Sequence, residues 1–240
     1  MTCLIDTHFH IDYYPNYKEL YDYINESKQY TLCMTNSPGI YNSCCNILGE
    51  SKYIKFAMGF HPKSKKLTIR DFNQFITMSI KTNYFGEIGL DFSNSEKYVP
   101  KEKQLLYFDE IVKFASEYNK LMSIHLRRSE DYAIDILNKH RPQKAIIHWF
   151  NGSKKQLEAL VSLNCYFSIN ANMIKKSNDI IKLVPQNKIL VESDGPFSKV
   201  KDKKYYPQML QLVYDEIATE FKIDNFTNIV YKNFNKILRL

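Results

Sequence analysis

Short apolar runs alternate along the chain with longer segments in which apolar residues recur at helical spacing. The short runs predict eight buried strands, at 4–6, 31–35, 54–59, 84–88, 122–125, 145–148, 166–169 and 189–192. The longer segments predict helices at 101–119, 129–137, 153–163, 205–221 and 226–238, with Ser129 and Ser153 able to cap two of them. Eight strands with helices between them predict an α/β fold, a single (β/α)8 TIM barrel.

Composition agrees with one globular domain. A length of 240 residues suits one barrel, so we predict a single domain over residues 1–240. A hydrophobic fraction of 44% argues against disorder, and no apolar stretch reaches the roughly 20 residues that a membrane span needs. The five cysteines show no disulfide or zinc-knuckle spacing, so we read them as reduced thiols. These features predict a cytoplasmic protein without a membrane partner.

Two histidines near the start of the chain are candidate metal ligands. His8 and His10 follow the apolar run 3–5, and alternate residues of an extended segment point to the same side. Both imidazoles can therefore reach one metal ion.

Four further apolar runs close on a candidate ligand, and these are Glu87, His125, His148 and Asp194. The carboxyl ends of barrel strands open on one face, so we expect these side chains to converge with His8 and His10. Four imidazoles and two carboxylates are enough for two divalent ions. Their identity stays open between zinc or manganese, which suit this mixture, and magnesium, which prefers oxygen.

At these residues the sequence resembles the TatD-type metal-dependent nucleases of the amidohydrolase superfamily. The matching segments run in family order: Asp-Thr-His-Phe-His-Ile-Asp at 6–12, Gly-Phe-His-Pro at 59–62, Gly-Glu-Ile-Gly-Leu-Asp at 86–91, Ile-His-Leu-Arg at 124–127, His-Trp-Phe-Asn-Gly-Ser at 148–153 and Glu-Ser-Asp-Gly-Pro-Phe at 192–197. The resemblance implies a (β/α)8 barrel, two divalent ions and phosphodiester hydrolysis. The enzyme is therefore expected to be a deoxyribonuclease.

Within that family the chain looks like the TatD-like nucleases encoded in Qat-type anti-phage defence cassettes. This narrower resemblance rests on the short chain and on the motif variants at 122–128, 148–150 and 193–197. It implies action beside other proteins of such a cassette. The basic loop 198–204 lacks the Arg-Gly-Lys arrangement of the usual family loop, which leaves substrate preference open.

The residue types also suggest roles in catalysis. Glu87 is the candidate to bridge the ions, because each carboxylate oxygen can hold one of them. We assign His8, His10 and Asp194 to one ion and His125 and His148 to the other. Asp194 is also the candidate general base, so Asp194 and Glu87 are the predicted catalytic residues.

Two more residues are predicted to bind substrate. His61 follows the third strand and can donate to a phosphate or bind an ion. Arg127 can clamp phosphate oxygens through its planar guanidinium, and the alternative for it is a salt bridge with Glu87 or Asp91. Asp91 and Glu192 are candidates to orient ligating imidazoles.

The charge balance favours a nucleic-acid partner. Lysine and arginine exceed aspartate and glutamate by 33 to 26, and basic residues cluster at 63–66 and 199–204. Such loops attract polyanions, although they can also be merely solvated. Four aromatic residues near the predicted mouth either stack bases or pack the barrel rim: Phe60, Trp149, Phe150 and Phe197. We therefore predict DNA as the partner, as single strands or ends.

Two other functions stay open at this point. The same site could hydrolyse small phosphoesters, lactones or amides, because a fold does not determine its substrate. The chain could instead be a non-catalytic subunit that binds nucleic acid or a partner, with structural metals. The complete set of candidate ligands argues against this second alternative.

Overall fold

The computed structural model describes residues 3–64, 67–93, 97–175 and 179–240, and eight parallel strands form its central sheet. In chain order they are β1 (Ile5–Phe9), β2 (Tyr30–Met34), β3 (Ile54–Phe60), β4 (Tyr84–Asp91), β5 (Leu121–Arg127), β6 (Ala145–His148), β7 (Tyr166–Ile169) and β8 (Ile189–Val191). Each strand pairs with the next one in sequence. Their residues are almost all buried, as expected for strands covered on both faces. The predicted (β/α)8 barrel is confirmed.

Helices follow the strands and cover the sheet. They are α1 (Tyr17–Glu26), α2 (Pro38–Ile47), α3 (Ile69–Ser79), α4 (Lys101–Glu117), α5 (Glu130–His140), α6 (Lys154–Ser162), α7 (Ala171–Lys175), α8 (Leu210–Phe221) and α9 (Phe226–Arg239). After β8 a short hairpin intervenes, made of β9 (Lys199–Val200) and β10 (Lys203–Lys204). Of the helices that the structure describes, none combines the length and apolarity that a bilayer span requires.

One of the two predicted serine caps is wrong. Ser153 caps α6 as predicted, accepting from the backbone N–H of Gln156 in a capping box. Ser129 makes no such bond at the start of α5. Its hydroxyl instead donates to the carbonyl of Leu90 at 2.8 Å and accepts from the N–H of Arg127 at 3.1 Å. Ser129 thus ties β4 to β5 beside the predicted site, and these two bonds replace the cap on α5.

The barrel closes between β1 and β8 through individual hydrogen bonds. The hydroxyl of Thr7 donates to the carbonyl of Val191 at 3.0 Å, and the N–H of Asp194 donates to the carbonyl of His8 at 2.8 Å. The carboxylate of Asp6 accepts from the N–H groups of His8 at 3.2 Å and Ser193 at 2.9 Å. These bonds fix the backbone of His8 relative to that of Asp194.

Candidate metal centre

The six predicted metal ligands meet at the carboxyl ends of the strands. His8 lies within β1 and His10 directly follows it, while Glu87, His125 and His148 lie on β4, β5 and β6. Asp194 follows β8 in the loop that pairs with β1. Within the described residues, three groups of candidate ligands have all their ligand atoms within 4.8 Å of one another: His8 with Glu87 and His148, His8 with His10 and Asp194, and His61 with Glu87 and His125.

Glu87 stands at the centre of this cluster. Its Oε2 atom lies 3.4 Å from His10 Nε2 and 3.8 Å from His8 Nε2. Its Oε1 atom lies 2.8 Å from His125 Nδ1 and 3.7 Å from His148 Nε2. The two oxygens of one carboxylate therefore face two different sets of imidazoles.

His61 belongs to the same cluster. Its Nε2 atom lies 3.2 Å from Glu87 Oε1, and its ring is in edge contact with that of His125, with centroids 4.9 Å apart. The sequence left His61 open between phosphate binding and ion binding. Its position among the ligands favours the second role.

Three imidazoles are hydrogen-bonded by side chains from other parts of the barrel. His8 Nδ1 lies 2.8 Å from the hydroxyl of Ser123, and His148 Nδ1 lies 2.8 Å from Glu192 Oε2. His125 Nε2 lies 3.0 Å from Asp91 Oδ2. Ionised carboxylates only accept, so in His148 and His125 the nitrogen that faces the carboxylate carries a proton and the other nitrogen is the one directed at the centre.

Sequence reasoning missed some of this outer support. Ser123 precedes His125 by two residues on β5, so both side chains point to the same side. Ser168 on β7 and Asn170 just beyond it both hydrogen-bond to Glu192. The available signal was a polar residue inside an otherwise apolar strand.

Burial makes two of the imidazoles suitable ligands. Desolvation lowers the pKa of His8 and of His148 to about 3, so both rings are neutral near pH 7. Neutral imidazole is the form that binds a metal. With two carboxylates and oriented rings, this set of donors fits divalent metal ions.

For His125 and Glu87, neighbouring groups outweigh the effect of burial on the pKa. Burial alone lowers the pKa of His125, but hydrogen bonds with Asp91 and Glu87 raise it to about 9. Burial would likewise raise the pKa of Glu87, yet His61 and the other surrounding imidazoles hold it well below its ordinary value. A protonated His125 therefore places positive charge 2.8 Å from Glu87 Oε1.

Asp194 has an unusual backbone and a perturbed carboxyl group. Its φ of 49° lies in the left-handed region, which for a residue other than glycine costs on the order of 1–3 kcal/mol. Its Oδ1 atom lies 3.6 Å from His10 Nε2 and 3.7 Å from His8 Nε2. Burial raises its pKa well above the ordinary value, and the negative charges of Glu192 and Glu87 add to this effect. The residue is thus held in a strained conformation with its carboxylate at the cluster.

An ion pair that the sequence did not indicate lies next to the ligands. Lys63 Nζ is 2.9 Å from Asp91 Oδ2, the same oxygen that contacts His125. A salt bridge with Asp91 or Glu87 was one alternative for Arg127, but it is Lys63 that forms the salt bridge with Asp91. The neighbouring Lys65 and Lys66 of the predicted basic cluster lie outside the described residues.

Five residues of the cluster line an open cleft of about 1290 Å³, namely His61, Glu87, His125, His148 and Asp194. Arg127 and Arg128 line this cleft and are exposed. Neither guanidinium forms an ion pair with any residue in the described part of the chain. The cleft thus carries free positive charge beside the ligand cluster.

Of the aromatic residues and the basic loop that the sequence places near the mouth, only some are exposed to the cleft. Phe60 and Phe150 are buried and pack the barrel, while Trp149 is half-buried and Phe197 is exposed in the cleft. Loop 199–204 forms the β9–β10 hairpin, and its lysines do not line the cleft, although they are all described. Phe197 is therefore the strongest of the four as a contact for a ligand.

Known proteins resemble this chain in sequence. The family model described as TatD related DNase matches residues 5–239. The chain is 29% identical over 143 residues to "Deoxyribonuclease Tat-D" of Schizosaccharomyces pombe, a match of 57% of this chain and 46% of that protein, so it spans about half of that relative's length. It is 25% identical over 256 residues to the "Uncharacterized metal-dependent hydrolase YabD" of Bacillus subtilis, with 99% of each chain covered.

Solved structures share the fold. The TatD homologue YjjV of Escherichia coli superposes with a TM-score of 0.85 at 20% identity, covering 100% of both chains. An uncharacterized amidohydrolase of Saccharomyces cerevisiae gives a TM-score of 0.79 at 15% identity, covering 99% of this chain and 100% of that one.

Proposed function

The chain belongs to the TatD-related DNase family, and on this premise we propose that it cleaves the phosphodiester bonds of DNA with two divalent metal ions. As a member of that family it is a metal-dependent hydrolase that acts on ester bonds. The proposal adds the number of ions and the residues that hold them. It assigns His8, His10 and Asp194 to one ion, His125, His148 and His61 to the other, and Glu87 to both.

The position of Glu87 carries this proposal. Each of its oxygens faces a different set of imidazoles, with His10 3.4 Å from Oε2 and His125 2.8 Å from Oε1. A ligand for a single ion would need only one oxygen directed at the nitrogens. Two sets on opposite oxygens support two ions sharing one carboxylate.

The residues of the site then divide the work of hydrolysis. When bound, two divalent ions lower the pKa of water and neutralise charge on the phosphoryl oxygens. Asp194 accepts the proton from the attacking water, because its carboxylate lies at the cluster with Oδ1 3.6 Å from His10 Nε2. Arg127 holds a phosphate oxygen of the substrate through its guanidinium, which no described acid engages. Asp91 and Glu192 keep the rings of His125 and His148 oriented.

The cleft favours a polymer over a small substrate. Pockets for small molecules measure about 300–1,000 Å³ and are mostly apolar. The cleft here is larger, about 1290 Å³, and it carries Arg127 and Arg128 without acidic partners in the described chain. Several nucleotides can lie there with their phosphates near these cations.

A panel of substrates tests the proposal. Single-stranded and duplex DNA, single-stranded RNA, nitrophenyl phosphates and lactones are offered to the protein with Mg²⁺, Mn²⁺ or Zn²⁺. We expect metal-dependent cleavage of DNA and much slower turnover of the small esters. Faster turnover of a lactone or a nitrophenyl phosphate than of any DNA would contradict the proposal.

We further propose the setting in which the enzyme works. It acts in the cytoplasm as a single domain, beside other proteins of a Qat-type anti-phage defence cassette, and the motif variants at 122–128, 148–150 and 193–197 support this. Cells carrying the cassette with Glu87→Ala should lose protection against phage. Full protection by that variant would remove the nuclease from the defence role.

A further inference from the structure

Two exposed aromatic rings stand together in the cleft. Tyr13 follows His10 by three residues, and Phe197 follows Asp194 by three residues. Their exposed fractions are 44% and 52%, and both line the cleft. Covering these apolar faces with a ligand would be favourable, since it removes them from water.

The rings lie directly beside the candidate metal ligands. The centroids of Tyr13 and Phe197 are 5.0 Å apart with the planes at 70°. The ring of His10 makes edge contacts with both, at 5.7 Å from Tyr13 and 5.3 Å from Phe197. A base stacked on Phe197 would therefore belong to a nucleotide next to the phosphate that is hydrolysed at the cluster.

Both rings are held in place before any ligand arrives. The side-chain amide of Asn36 donates to the hydroxyl of Tyr13 at 2.6 Å, which anchors one ring. The N–H of Phe197 donates to the carbonyl of Asp194 at 2.8 Å, which fixes its backbone, and its ring packs against the ring of the buried His10. Anchored rings lose little conformational entropy when a base covers them.

The cations lie on the other side of the barrel. Arg127 is on β5, four strands away from β1 in the sheet order, whereas the aromatic pair follows β1 and β8. Aromatic rings that stack bases, combined with basic residues that follow the backbone, are the features of single-strand binding. The cleft thus offers a stacking surface on one side of the cluster and phosphate contacts on the other.

We propose that Tyr13 and Phe197 form a stacking site for the base next to the scissile phosphodiester, and that this base must be unpaired. The inference rests on the proposed function, since it deepens the choice of substrate. In a duplex both faces of an internal base are covered by its neighbours. Only a single strand, a frayed end or a base turned out of the helix can stack on Phe197.

Abasic substrates test the stacking site directly. A labelled single-stranded oligonucleotide carries one tetrahydrofuran residue, moved stepwise past the cleaved bond. With the parent protein we expect KM to rise roughly 5- to 150-fold when the missing base falls at one position, as for the loss of one stacked base. With Phe197→Ala, KM for the intact strand should rise similarly, and the abasic position should no longer matter.

Two further variants separate stacking from a structural effect. Phe197→Trp keeps a flat ring and should restore the difference between intact and abasic strands. Tyr118→Ala removes an aromatic residue that is 54% exposed at the end of α4, and it should leave that difference unchanged. Loss of bound metal from Phe197→Ala would overturn the proposal, because the ring would then serve to support His10.

Binding measurements keep this inference distinct from the proposed function. If the parent protein cleaves no DNA, the proposed function fails, but anisotropy with intact and abasic strands still tests stacking. A difference that disappears in Phe197→Ala supports the stacking site. Equal binding of intact and abasic strands by the parent would overturn it.

Discussion

Replacing Glu192 by glutamine is expected to weaken metal binding without unfolding the protein. The carboxylate of Glu192 is fully buried and holds three neighbours. It accepts from His148 Nδ1 at 2.8 Å and from Asn170 Nδ2 at 2.8 Å, and the hydroxyl of Ser168 donates to it as well. Glutamine keeps the shape of the side chain but converts one acceptor into a donor.

The expected cost follows from this geometry. In one orientation the new amide group opposes Nδ1–H of His148, and in the other it opposes the amide of Asn170. Leaving one buried donor unsatisfied costs about 1–3 kcal/mol. Loss of an outer partner of a metal-ligating histidine typically lowers metal affinity by about 10- to 100-fold. We therefore expect the dissociation constant for metal to rise about 10- to 100-fold, and the cleavage rate at limiting metal to fall with it.

Competition with a chelator measures this affinity, and circular dichroism checks the fold. Glu130→Gln is the matched control, because Glu130 is a buried carboxylate in the same cleft that accepts from the N–H of Ser129. Its metal affinity should stay at the parent value. An unchanged affinity in Glu192→Gln would refute the argument that Glu192 orients His148.

Three other predictions follow from the site. Glu87→Ala should lose at least one ion per chain and all cleavage while staying folded; elemental analysis that finds two ions would reject the bridging role. Arg127→Ala should raise KM for DNA and leave the metal content unchanged. The salt dependence of binding should fall by about one released counterion. An unaltered salt slope would mean that Arg127 does not contact a phosphate. The pKa of His125 is about 9, so its ring is protonated at pH 7 and must lose that proton to bind metal. Metal loading at pH 7 should therefore release at least one proton, and the affinity for metal should rise as the pH approaches 9. Calorimetry in buffers of different ionisation enthalpy measures the number of protons released, and a value of zero would contradict the prediction.

The parts of the site that sequence could predict are those encoded within one strand. His8 and His10 share one side of an extended segment, and Glu87 ends an apolar run, so their convergence follows from the common direction of parallel strands. The eight strands were located for the same reason, since each is a short apolar run. Only their ends differ, as β4 extends to Asp91 and β1 to Phe9.

The parts that sequence could not predict depend on contacts between distant segments. The ion pair of Lys63 with Asp91 joins the loop after β3 to the end of β4, which no local pattern relates. Tyr13 reaches Phe197 only because the barrel closes between β1 and β8. Ser129 was predicted to cap a helix, but its hydroxyl instead accepts from the N–H of Arg127 and donates to the carbonyl of Leu90 on β4. Local propensity is a weak guide wherever a tertiary partner is available.

The central claim is that two ions and Asp194 together cleave a phosphodiester, and Asp194→Asn tests it most directly. Asparagine keeps the size and one oxygen for the metal, but it is a far poorer base. Cleavage and binding of the same single-stranded oligonucleotide, with metal content measured on the same preparation, give the answer. We predict a rate lowered by about 10²-fold or more, with binding retained and two ions per chain in the parent protein. Cleavage by Asp194→Asn near the parent rate, or a fully active parent with one ion per chain, would contradict the account.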